Sequence, residues 1–80
     1  MNQIEERIRK VLQENGSLHI PISQINSDDQ LKDFGINSIR YMSIIVDLEK
    51  EFSIDFNLDD ISTDNFRTIN QIAKTIEKYL

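Results

Sequence analysis

The sequence predicts an all-α fold: a four-helix bundle with three longer helices, one short third helix, and a long loop between helices one and two. Three observations carry this. Apolar residues recur at helical spacing in three separate stretches. Start and stop signals bound those stretches, with Asn15-Gly16 closing the first and Thr68, three residues before Gln71, opening the last. The segments between them lack any sustained period, and the single proline, Pro21, falls in the longest.

The first helix is expected from about Gln3 to Glu14, with Ile4, Ile8, Val11 and Leu12 on one face and charged or amide residues elsewhere. Asn15-Gly16 ends it in a left-handed cap. Residues 17–33 form the long connection. Pro21 pushes Ile20 toward an extended conformation, Ile20, Ile22, Ile25 and Leu31 pin the loop to the bundle, and Asp28-Asp29-Gln30-Leu31 is expected to make one helical turn. Irregular loops longer than about 12–15 residues are uncommon in compact domains and are often functional.

The second helix is expected from Ser38 to Phe52. On a wheel, Tyr41, Ile44, Ile45, Leu48 and Phe52 fall within an arc of about 100°, the width of a core-facing stripe. Ile39, Met42 and Val46 form a second, narrower stripe on roughly the opposite side. So small a bundle buries one side of a helix well, hardly both, which leaves the second stripe exposed or covered by the loop alone. An exposed apolar cluster with a polar border marks a partner site. Beyond Phe52, Ile54 and Phe56 anchor an extended connector, and Leu58-Asp59-Asp60-Ile61 is the short third helix. Residues 62–65 break the pattern before Phe66 returns to the core. The last helix then lays Ile69, Ile72, Ala73, Ile76 and Leu80 on one face, with Lys74 and Lys78 toward the negative end of its dipole.

Eighty residues make a single domain spanning 1–80, too small for a rigid core and a deep, water-excluding pocket together. The net charge of −5 disfavours nucleic acid, whose phosphates call for a basic face, and an anionic membrane surface. A basic protein partner fits better. With no cysteine there is no disulfide framework, thiolate nucleophile or cysteine zinc site. No apolar run approaches the ~18 residues of a spanning helix and the N-terminus is not a signal peptide, so the chain reads as cytoplasmic, unattached to a larger polypeptide, and monomeric.

Catalytic and metal chemistries find little support. Asp55-Phe56-Asn57-Leu58-Asp59 matches the start of an EF-hand loop, but Asp60 stands where that loop needs glycine and Phe66 where it needs a bidentate glutamate. His19 is the lone histidine and reads as a loop residue. No metal site, catalytic residue or enzymatic activity is expected. The remaining feature is Asp33-Phe34-Gly35-Ile36-Asn37-Ser38-Ile39, a glycine turn delivering a serine to the first turn of an amphipathic helix with its hydroxyl toward solvent. On spacing alone, Asn37 or Ser38 as a helix cap is the simpler reading. Yet free amides and the positive dipole end also suit an attached phosphate there.

These residues resemble the attachment site of the acyl and peptidyl carrier proteins. The likeness covers nearly the whole chain: a first amphipathic helix, a long loop, a serine-led helix ending in Leu48-Glu49-Lys50-Glu51-Phe52, a short helix and a closing helix. The resemblance implies that Ser38 receives a 4′-phosphopantetheine arm from coenzyme A through a phosphopantetheinyl transferase using Mg²⁺, with Asp33, Gly35, Asn37 and Ile39 forming the attachment motif. The arm's thiol would hold cargo as a thioester for acyl- or aminoacyl-loading and processing enzymes. Ile39, Met42 and Val46 would meet those enzymes, with Asp47, Glu49 and Glu51 supplying charge for basic partners. Asn37 stands where the family usually has aspartate. Arg40, Tyr41 and Ser43 lie where fatty-acid carriers tend to be acidic, and Ile36 follows Gly35 in place of a double glycine. These departures point to a free-standing carrier in a specialised pathway. The rival readings are an unmodified helical adaptor, in which Ser38 only caps, and a small calcium-responsive module.

Overall fold

The computed structural model describes residues 3–15 and 18–80, with every side chain among them except that of Ser38. Three α-helices, α1 (Gln3–Asn15), α2 (Ser38–Phe52) and α3 (Ile69–Glu77), are joined by 3-10 turns at Ile22–Gln24, Leu31–Phe34, Leu58–Asp60 and Thr63–Phe66. No strand occurs among the described residues. Where a short third helix was expected, two consecutive 3-10 turns stand instead. The polar stretch before Phe66 explains this, because its side chains compete with a helical ladder. The Ser62 hydroxyl accepts from Asn65 N–H, and the Asn65 amide donates to Asp60 O at 2.9 Å. Asp28–Leu31 likewise forms no helical turn. A bend closed by Asp29, whose carboxylate accepts from Asn26 N–H at 2.8 Å, precedes the 3-10 turn that starts at Leu31. The cap expected at Gly16 lies outside the described residues.

The core is built as the periodicities require. Ile8, Val11 and Leu12 of α1, Ile44, Ile45, Leu48 and Phe52 of α2, and Ile69, Ile72, Ala73 and Ile76 of α3 are all buried. Leu80 departs from the expectation and is exposed, because α3 stops at Glu77. Tyr79 packs on the core in its place. Its ring meets Phe56 edge-on at 5.3 Å, Phe56 meets Phe66 at 5.3 Å, and Phe66 meets Tyr41 at 5.6 Å. This edge-to-face chain ties the end of α3, the connector after α2 and the Thr63–Phe66 turn to the start of α2, each contact worth about 0.5–1.5 kcal/mol beyond area burial.

Polar bonds fasten the long connection. The guanidinium of Arg9 donates to Ile22 O at 3.0 Å and Ile25 O at 2.7 Å through Nη1, and to Ser27 Oγ at 3.2 Å through Nη2. Gln13 Oε1 accepts from Ile22 N–H at 3.1 Å. At the far end, Asn70 N–H donates to Ser27 O and Leu31 N–H to Arg67 O, both at 3.0 Å. The loop is thereby stitched to α1 on one side and to the entry of α3 on the other, which fixes the position from which α2 starts.

The α2 helix ends at Ser53, whose φ of 55° and ψ of 48° place a non-glycine residue in the left-handed region. Ser53→Gly relieves the Cβ clash that costs L-residues roughly 1–2 kcal/mol there. Glycine also has more unfolded-state entropy to lose, so the expected net gain is about 0.5 kcal/mol, read as a higher urea midpoint with an unchanged slope.

Three carboxylates couple the fold to pH. The hydroxyl of Ser27, and Arg9 as well, hold the Glu5 carboxyl below its ordinary 4.5. Arg7 does the same for Glu51, and Lys78 and Tyr79 hold Asp60 below its ordinary 3.8. Groups depressed in the folded state stabilise it at pH values above their unfolded values, and that contribution is lost as pH falls through the lower folded values. The melting temperature should therefore stay level down to about pH 4.5 and fall steeply below about pH 4. Asp60→Asn should flatten part of that fall.

Candidate functional site

The start of α2 is set by two residues with distinct backbone tasks. Gly35 adopts φ 106° and ψ 3°, a conformation costly for any residue with a Cβ, and it turns the chain out of the Leu31–Phe34 segment. Asn37 is then the cap. Its side-chain oxygen accepts from Ile39 N–H at 3.1 Å and Arg40 N–H at 3.0 Å, and its carbonyl accepts from Tyr41 N–H at 2.9 Å. Of the two cap readings open in the sequence, the structure thus puts Asn37 in the role. It also corrects the expectation of free amides at this helix end, since Asn37 occupies two of them. Between Gly35 and Asn37, Ile36 is buried and anchors the turn. Ser38 is the first residue of α2; its hydroxyl lies outside the described structure. Asp33 is exposed one residue before Phe34.

From residue 38 onward the two stripes of α2 separate. Ile39, Met42 and Val46 are 82, 53 and 44 % exposed, so the loop does not cover them. Asp47, Glu49 and Glu51, which the resemblance gives as charge for basic partners, also make contacts within the fold. Asp47 accepts from the Asn15 side chain at 2.9 Å. Glu49 accepts from Phe56 N–H at 2.9 Å, fixing the connector after the helix. Glu51 pairs with Arg7 at 2.9 Å and Lys10 at 3.6 Å, while Arg7 also lies over the Phe52 ring at 4.3 Å. These three carboxylates bind α2 to its neighbours, and a sequence pattern could not reveal that. Spacing along one helix does not say which flank another element will occupy.

Two features at this end of the molecule were not legible beforehand. The Tyr41 hydroxyl donates to Ser62 O, joining α2 to the turn that carries Phe66. Burial, with the Asp64 carboxylate adding to it, pushes its phenol up to about 12. Next to Asn37 and Tyr41 lies a groove of about 640 Å³, floored by Leu31, Ile36 and Phe66 and rimmed by Lys32, Thr63 and Arg67. The apolar residues lining it were visible as core candidates. Their convergence beside Asn37 depends on the Leu31 N–H to Arg67 O bond, a long-range pairing without a local signature. Among the described residues no group of three His, Cys, Asp or Glu side chains is placed to hold a metal ion, and no helix is long and apolar enough to cross a membrane.

A capped, serine-led helix with an exposed apolar stripe, set by a glycine turn in a small helical domain, is the architecture of a carrier domain. A family model described as the phosphopantetheine attachment site matches residues 3–76, and the chain belongs to that family. Its members are non-catalytic carriers bearing covalently attached 4′-phosphopantetheine. Two matching solved structures contain an engineered Bradyrhizobium japonicum glycine:[carrier protein] ligase complexed with a carrier protein from Agrobacterium tumefaciens, one with ATP and one with AMP. The first matches at 24 % identity and a TM-score of 0.89 over 94 % of this chain and 97 % of the other. The second matches at 25 % identity and 0.87 over 91 % and 97 %. No curated protein matches the chain.

Proposed function

We propose that this carrier domain tethers thioester-bound biosynthetic intermediates on a 4′-phosphopantetheine arm at Ser38 and presents them to partner enzymes of a specialised pathway. The observation that carries the assignment is the placement of residue 38. It opens α2 directly after the Gly35 turn and the Asn37 cap, one residue before the exposed Ile39. Attachment needs an outside transferase: the Ser38 oxygen bonds to the phosphorus of coenzyme A nearest the pantetheine, 3′,5′-ADP leaves, and the serine proton passes to a base on the transferase. The arm's terminal thiol supplies the thioester chemistry.

The chain's own residues hold and present. Gly35 and Asn37 fix the helix start, and Ile39, Met42 and Val46 offer an apolar face to an enzyme. Arg40 and Lys50 are exposed on α2, whereas Asp47, Glu49 and Glu51 are engaged within the fold. Partner affinity is therefore expected to rest on the apolar stripe more than on acidic steering. The solved neighbours support a loading enzyme of the acyl- or aminoacyl-ligase kind. Work as a monomer in the cytoplasm completes the proposal.

Incubation with coenzyme A, Mg²⁺ and a promiscuous transferase should add one phosphopantetheine by intact mass. No gain with several transferases would favour an unmodified adaptor. Met42→Glu should slow modification or loading roughly tenfold or more, the loss of a contact worth about 1–2 kcal/mol at the centre of an interface, while helicity and melting temperature stay unchanged. Unfolding of that variant would make the stripe part of the core.

A further inference from the structure

We propose that Tyr79, two residues past the end of α3, latches residues 57–63 against the domain, and that this latch governs whether Tyr41 keeps its hydrogen bond near the start of α2. The inference concerns the unmodified chain and does not depend on attachment at Ser38. The latch is built on one carboxylate and one phenol. Asp60 accepts from Lys78 Nζ at 2.6 Å and from the Tyr79 hydroxyl, and the same hydroxyl accepts from Asn57 N–H at 2.8 Å. A phenol donates with its proton and accepts with its lone pair, so Tyr79 holds both ends of the stretch from Asn57 to Asp60. Tyr79 is itself fixed by its own N–H, which donates to Ile76 O at 2.9 Å.

The turn needs that hold. Its own bonds, Asp60 N–H to Asn57 O at 2.9 Å and Ile61 N–H to Leu58 O at 3.2 Å, close a 3-10 turn too short to persist without outside support. Leu58 gives little packing, being 88 % exposed, and Asn57, Asp59, Ser62 and Thr63 are exposed as well. Segments with so little buried apolar surface open locally, below the free energy of global unfolding. From the turn a chain of bonds runs to α2. Asp60 O accepts from the Asn65 side chain at 2.9 Å, Asn65 N–H donates to Ser62 O at 3.1 Å, and that same carbonyl accepts from the Tyr41 hydroxyl. Release of Asp60 therefore frees Asn65, and with it the carbonyl that Tyr41 uses. The Lys78 pair is expected to add little, since its ammonium side chain is 57 % exposed and such pairs are weak. The phenol carries the latch.

Amide hydrogen exchange of the ¹⁵N-labelled, unmodified protein tests this, because it reads opening on the scale of minutes to hours. Tyr79→Phe keeps the ring against Phe56 and deletes both hydroxyl bonds. Expected are amides of Asp60, Ile61 and Asn65 exchanging about tenfold faster or more, core amides of Ile8 and Ile72 exchanging as in the parent, and Tyr41 ring resonances displaced. Asp60→Asn, which leaves the Tyr79 bond to Asn57 in place, should give the same pattern at smaller size, and Lys78→Ala should stay near the parent. Unchanged exchange at Asp60, Ile61 and Asn65 in Tyr79→Phe would overturn the proposal. So would acceleration spread equally to Ile8 and Ile72, which would make the hydroxyl a support of the whole fold. Faster exchange in the turn with Tyr41 resonances identical to the parent would overturn it too, since the latch would then end before α2. Because no arm is attached in this experiment, its failure leaves the Ser38 assignment standing.

Discussion

Ser38→Ala should take up no phosphopantetheine under conditions that modify the parent completely, and should fold as well as the parent. Modification requires one hydroxyl at one place, and alanine removes the nucleophilic oxygen. Ser43, the next serine of α2, accepts from the Asn15 side chain at 3.1 Å, more than a helical turn farther along, so a transferase seated on the Gly35 turn would not reach it in the same pose. Stability should hold because Asn37 does the capping. Alanine in the first turn of a helix is a better helix former than serine, so the change should stay within about 0.5 kcal/mol. Asn37→Ala is the contrasting variant. It removes the acceptor of two amides and should cost about 0.5–2 kcal/mol while leaving the serine in place. Intact mass and thermal melting of the two variants side by side separate the cap from the proposed attachment residue.

Arg9→Ala should be the most destabilising change at any polar side chain of this domain. Its half-buried guanidinium serves the carbonyls of Ile22 and Ile25, the hydroxyl of Ser27 and the carboxylate of Glu5. Hydrogen bonds involving a charged group contribute about 1.5–3 kcal/mol each, though not additively. Truncation also removes the ion pair to Glu5, whose carboxylate accepts from the Ser27 hydroxyl at 2.6 Å as well. A loss of about 2–4 kcal/mol is expected, which for a domain of this size means a melting temperature lower by roughly 10–25 °C. Arg9→Lys should recover little of it, since one ammonium cannot span two carbonyls and a hydroxyl as the planar fork does. The consequence reaches the functional end of the molecule, because the loop that Arg9 anchors leads directly to Gly35.

The contrast between Arg9 and α2 explains what could be read from the chain. Whereas the exposure of Ile39, Met42 and Val46 depends on where the loop runs, the span of α2 and its two stripes follow from a 3.6-residue period, a local property of consecutive residues. The Thr68 cap was legible for the same reason, and its hydroxyl accepts from Gln71 N–H at 3.1 Å. Arg9 looks in the sequence like any solvated helix charge, and only the path of the loop turns it into a clamp. Asp47, Glu49 and Glu51 show the same effect: the resemblance implies charge for basic partners, and only the packing of α1 and of the connector reveals their bonds within the fold. The polar residues of segment 58–66 leave little periodicity, so the sequence predicts only one short helix and a break there. Two 3-10 turns satisfy those side chains and still bring Phe66 inward. The attachment motif stood out from composition and order, whereas the groove beside it needed Leu31 and Arg67 to meet from 36 residues apart.

Fragmentation mass spectrometry of the transferase-modified protein tests the central assignment most directly. A single phosphopantetheine should be found, and its fragments should place it on Ser38 in every modified molecule. An adduct on any other residue, or none after treatment with several transferases, would contradict the assignment of Ser38 as the point where this carrier holds its arm.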